Sequence, residues 1–282
     1  MTVIFVILLF AVSMVFFYAM AYARDKVYGA PFSRPDPMQL RTHALKEVHR
    51  VRVPESGWNP DRWHEVLQQH MLFYRNLTDA QQQHFRGLME AFLYRVQIIA
   101  VDFMPVERDY IFIAASAIIP VFYLHNWLYP QLREVIIHPS TFGSFADSEG
   151  QHRYTAGLTG TGTRTGVVYL ARNVLWEDIL QQKSSNVAIH EFIHVLDQAD
   201  GSIDGLPLTL VPQNEVRSWV EAMMAQMQQA SCADTDIDPY AFESPAEFLA
   251  VLGEYFFTQP QRMQQLHPRI YEMMKRIYGP SA

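Results

Sequence analysis

The sequence predicts an α+β fold, mostly helical with a small sheet, carried behind one N-terminal transmembrane helix. Three observations lead there. Residues 1–23 form an almost unbroken apolar run; several later segments repeat apolar residues at three- and four-residue steps; and two short runs between them have strand composition. With 49% hydrophobic and 18% charged residues over 282 positions, the chain has ample material for a core and is not a disordered protein.

The apolar run Met1–Ala23 carries no charged side chain. As a helix it would reach about 34 Å, enough for a hydrocarbon core of roughly 30 Å. Ala21-Tyr22-Ala23 also resembles a signal-peptide cleavage site. Against cleavage, the run lacks a basic leader and is longer than a signal core, so it reads as an anchor. The next residues, 24–52, hold a net charge of +4, whereas 53–282 hold −11. Positive charge after the span places the body on the cytoplasmic side, a single-pass membrane protein. The expected organisation is an anchor over 1–23, a basic, Pro-rich linker over 24–57 and one domain over 58–282.

Within that domain, Leu77-Thr78-Asp79-Ala80-Gln81 opens a helix, with Thr78 as N-cap and Gln81 completing a capping box. Its apolar face runs through Phe85, Leu88, Phe92, Val96 and Ile99. Tyr110–Leu128 is apolar enough for a second span, but Pro120, His125 and Asn126 favour a buried core helix. Glu134–Phe142 and Val167–Ala171 read as strands, and Gly157–Gly166 between them as a flexible loop. That loop lacks the Lys-Ser/Thr and following helix of a phosphate loop. A formal charge of −7 argues against nucleic-acid binding, and a single cysteine, Cys232, excludes an internal disulfide framework.

The chemistry concentrates in Ser185–Asp197, SNVAIHEFIHVLD, a helix with Ser185 near its N-cap and Gly201 as its stop. His190 and His194 lie one turn apart on the same face, the spacing at which two imidazoles grip one Zn²⁺. Glu191 stands beside the first ligand, where its carboxylate reaches a water at the metal without binding the metal itself. This is H-E-x-x-H, the pattern of metal-assisted hydrolysis.

A catalytic zinc wants a third protein ligand. Glu247 opens the apolar run Phe248–Phe257, which can pack against the histidine helix. Asp200 and Glu254 are the alternatives. Ser244, Pro245 and Glu247 also spell an S-x-x-E capping box, so two roles compete for one carboxylate.

Together, HEFIHVLDQADG and PAEFLAVLGEYFF, with a tyrosine between them, resemble the Mlc titration factor A family of zinc peptidases, which are similar at the active site to the catalytic domain of anthrax lethal factor. The resemblance runs from about Trp58 to Tyr278. It implies a zincin-like metallopeptidase domain hydrolysing a peptide or protein substrate, with Zn²⁺ on His190, His194 and Glu247 and with Glu191 as general base. By the same resemblance Tyr240 is a catalytic tyrosine donating to an oxyanion, Asp197 is a candidate to orient an imidazole, and Val167–Ala171 is a candidate edge for substrate pairing. The N-terminal apolar span and a shorter stretch between Gly205 and Tyr240 depart from the family pattern. Sequestration of a transcriptional repressor, the rival reading, does not therefore carry over on resemblance alone.

Overall fold

The computed structural model describes residues 48–50, 60–124, 129–143, 154–160, 165–208, 210–211, 214–230 and 235–280. The chain divides into units 1–46 and 47–282, and every described residue lies in the second.

Helices α1 (Pro60–His70), α2 (Leu72–Arg75) and α3 (Asp79–Arg95) come first. The α3 start follows from its capping box: the Gln81 amide donates to Thr78 Oγ1, and the Thr78 amide donates to Gln81 Oε1. The helix ends earlier than its apolar spacing suggests. Val96 is already extended, and Gln97–Val101 forms strand β2, rich in the branched residues that favour a pleated strand. Ile99 therefore belongs to the sheet and not to the helix.

Strand β2 pairs antiparallel with β1 (Val48–Arg50) and parallel with β3 (Glu134–His138). Parallel neighbours need a crossover, and α4 (Glu107–Ile118) lies within it. Its residues from Asp109 to Ile118 are all buried, so it is the core helix expected from 110–128, ended by a 3₁₀ turn through Pro120. Residues 125–128 lie outside the described residues.

After β3, β4 (Phe142–Gly143) pairs with β5 (Tyr154–Thr155) in a separate two-stranded sheet. The chain then forms β6 (Gly157–Thr159) and β7 (Val167–Ala171), which pair antiparallel. The main sheet runs β1-β2-β3-β7-β6. The start of the Gly157–Gly166 segment, expected as a loop, is thus a strand at the sheet edge. Val167–Ala171 is a strand as expected, but β3 and β6 occupy both its sides, so it cannot be the pairing edge for a substrate.

Helices α5 (Arg172–Leu180), α6 (Val187–Asp197), α7 (Val216–Ala230), α8 (Pro245–Thr258), α9 (Pro260–Leu266) and α10 (Pro268–Tyr278) complete the order. The α6–α8 packing is close: a Cβ on Gly253 would lie 2.0 Å from Ile193 Cδ1, so glycine permits the approach.

Among the described residues, no helix is long and apolar enough to cross a membrane. Helix α4, buried from Asp109 to Ile118, has 12 residues and reaches only about 18 Å. The expectation of a single-pass membrane protein is corrected accordingly. Residues 1–23, which prompted it, lie outside the described residues.

Candidate metal centre

Helix α6 presents the two histidines. Its N-cap is Asn186, not Ser185: Asn186 Oδ1 accepts from the amides of Ala188 (3.1 Å) and Ile189 (3.0 Å). Ser185 instead donates to Asp178 at 3.2 Å. The helix ends at Asp197, and a 3₁₀ turn leads to Gly201, whose φ of +106° fits the expected stop. The buried rings of His190 and His194 stand 4.7 Å apart, centroid to centroid.

Helix α8 brings the third group. Ser244 Oγ accepts from the Glu247 amide at 3.2 Å, so the hydroxyl cap forms without the carboxylate. The Glu247 side chain turns to the imidazoles, with Oε2 2.9 Å from His190 Nε2 and 3.3 Å from His194 Nε2. The two Nε2 atoms are 3.1 Å apart. Ligand atoms around a tetrahedral zinc with bonds of 2.0–2.1 Å stand about 3.3 Å from one another. Two imidazole nitrogens and one carboxylate oxygen at these separations fit a single ion, and these three residues are the group able to hold one among the described residues.

The electrostatics ask for positive charge. Burial opposes protonation of His190, but hydrogen bonds to Glu247 and Glu254, with the Glu254 and Glu191 charges, outweigh it and push its pKa up to about 10. Burial alone would raise Glu247, yet the hydrogen bonds from His190 and His194 hold its carboxyl well below the usual range.

Glu191 is buried on the β6 side of α6. Thr159 Oγ1 lies 2.8 Å from its Oε2 and donates to it. Gly157 leaves room for the rest of the carboxylate: a Cβ there would sit 2.5 Å from Glu191 Oε1. Burial raises the Glu191 pKa, opposed by the neighbouring histidines.

Tyr240 lies on a 3₁₀ turn, Pro239–Phe242, started by Asp238, whose Oδ1 accepts from the Tyr240 amide. Its ring is 5.9 Å from that of His190, with 42% of the residue exposed. Partial burial, then the charges of Glu247, Glu191 and Glu243, hold the phenol pKa well above its ordinary value, so it stays a proton donor.

The remaining candidates fall elsewhere. Asp200 Oδ1 accepts from the Ser202 amide and Oδ2 from the Leu208 amide, which staples an exposed loop away from the cluster. Asp197 does not bond His194. Its Oδ2 accepts from the Gly205 amide at 2.8 Å, while its Oδ1 and His194 Nδ1 have no hydrogen-bond partner among the described residues. Glu254 takes the position expected of Asp197, but on the other imidazole, with Oε1 2.6 Å from His190 Nδ1. Thr159, Gly157 and Asn186 are the neighbours the sequence did not single out. Their signal was a short strand hidden in glycines and a capping residue one place beyond a serine.

Residues 45–279 match the model of the glucose-regulated metallo-peptidase M90 family. The chain belongs to that family. Similar proteins include an uncharacterized protein of Synechocystis sp., 29% identical over 78% of this chain and 84% of its own. Mlc titration factor A of Cronobacter sakazakii is 30% identical, and that of Pectobacterium atrosepticum 26%, each over 72% of this chain and 80% of its own. The resemblance to the Mlc titration factor A family thus extends well beyond the motif, across most of both chains.

Proposed function

We propose that this chain is a zinc-dependent peptidase in which His190, His194 and Glu247 hold the metal, Glu191 is the general base and Tyr240 the oxyanion donor. The convergence of one carboxylate oxygen and two imidazole nitrogens at 2.9–3.3 Å beside an H-E-x-x-H glutamate carries the reading. Zinc held there supplies a Lewis acid and brings the pKa of water toward about 7.

The protein's own groups do the rest. Glu191, with one oxygen held by Thr159, takes the water's proton on the other and delivers it to the leaving amine. Burial, which raises the Glu191 pKa, makes its carboxylate a stronger base for taking that proton. Tyr240, kept protonated by partial burial and the surrounding carboxylates, donates to the oxygen that gains charge as the carbonyl becomes tetrahedral. β6, an edge strand beside Glu191, replaces β7 as the segment along which an extended peptide would pair.

Glu191→Gln tests the assignment. It should keep zinc and lose hydrolysis of an unstructured protein such as casein by at least about 100-fold, and a variant retaining activity removes Glu191 from the chemistry. The relatives named Mlc titration factor A support a second reading, the binding of a transcriptional regulator. Loss of a metal ligand separates the two: His194→Ala should abolish hydrolysis and leave such binding intact.

A further inference from the structure

Both oxygens of Glu254, in α8, are engaged with α6 and its cap. Oε1 is 2.6 Å from His190 Nδ1, and Oε2 accepts from the Asn186 amide at 2.8 Å. The residue is only 8% exposed. A carboxylate oxygen accepts from Nδ1–H, which leaves Nε2, on the side of Glu247 and His194, as the nitrogen able to take a metal. Asn186 is also the residue whose side chain caps α6. One carboxylate thus fixes the tautomer and rotation of His190 and ties the start of its helix to α8, the helix that delivers Glu247. His194 has no such partner at Nδ1 among the described residues.

We propose that Glu254 is a positioning residue, which locks His190 as an Nε2 donor and couples metal affinity to the docking of α8 on α6. This rests on the reading that His190, His194 and Glu247 hold the metal. It differs from a ligand role, because its oxygens lie on the far side of the imidazole from the converging donor atoms.

Glutamine is the diagnostic replacement. Both partners of Glu254 are N–H donors, and an amide has one oxygen, so Glu254→Gln keeps shape and at most one of the two bonds well made. Zinc dissociation constants, measured on the full chain by chelator competition with zinc alone, should rise about 10–100-fold in Glu254→Gln. Thermal unfolding of the metal-stripped proteins should show a variant that still folds. NMR of ¹⁵N-histidine-labelled, zinc-loaded parent protein needs no variant, and should show His190 protonated at Nδ1 and metallated at Nε2. Parent and Glu254→Gln binding zinc equally within twofold, or His190 metallated at Nδ1, overturns the role of Glu254 and leaves the metal site standing. A parent that binds no zinc overturns both.

Discussion

Replacing Gly157 with alanine should push the Glu191 carboxylate off its seat against β6. The new Cβ would stand 2.5 Å from Glu191 Oε1, 2.7 Å from its Cγ and 2.8 Å from Val187 Cγ2. Ordinary contacts begin near 3.4 Å, so the glutamate must withdraw by about 0.9 Å. Gly157 sits in a β-strand, so alanine meets no backbone penalty and the effect is one of space. A displacement of about 1 Å in a reacting group is worth roughly 100-fold in rate, about 2.7 kcal/mol. His190 and His194 are not touched, so zinc content should hold at the parent level while kcat falls about 100-fold and KM stays within a few-fold. The assay is steady-state hydrolysis of a quenched peptide with metal measured on the same samples. Gly157→Ala with kcat within twofold of the parent would refute the placement of Glu191.

Three other perturbations follow from the packing and charge. Asp236 accepts from Tyr255 (2.5 Å), Arg262 (2.8 Å) and His267 (2.6 Å), and so ties the segment before Tyr240 to α8 and α9. Asp236→Asn should lower unfolding stability by about 1.5–3 kcal/mol in urea titration and weaken hydrolysis with it. Gly253→Ala drives a Cβ to 2.0 Å from Ile193 Cδ1 and should destabilise by about 1–3 kcal/mol. Adding Ile193→Val removes the clashing atom and should restore part of that loss in a double-mutant cycle. Burial pushes the Asp178 carboxyl up from 3.8 to about 6. Between those pH values the folded chain binds more protons there than the unfolded chain, so this group's contribution to stability falls as pH rises, by up to about 1.4 kcal/mol per pH unit. Urea midpoints at pH 4.5 and 6.5 should therefore fall less in Asp178→Asn than in the parent.

Local signals carried part of this architecture into the sequence. The Thr78–Gln81 capping box, the Asp197–Gly201 helix end and the one-turn spacing of His190 and His194 are set by neighbours within a few residues, and the structure forms each. The two roles offered to Glu247 separate for a reason visible in Ser244: its hydroxyl caps the helix alone, which frees the carboxylate. What stayed hidden depends on contacts distant in sequence. β2 looked like a continuation of α3, because Val96 and Ile99 keep the helical spacing, while Val96 only caps the helix and the sheet, built with β3 far along the chain, claims Ile99. β6 is three residues beside glycines, and pairing with β7 alone makes it a strand. In the sequence, Asp197 is a candidate to orient an imidazole and Glu254 an alternative third ligand. The Gly205 amide claims Asp197, and the packing of α8 on α6 gives Glu254 to His190.

The metal content of the purified chain, measured beside Glu247→Ala and Asp200→Ala, tests the central claim most directly. The account predicts near-stoichiometric zinc in the parent and in Asp200→Ala, and its loss in Glu247→Ala. Zinc retained in Glu247→Ala, or absent from the parent after zinc is added, would contradict it.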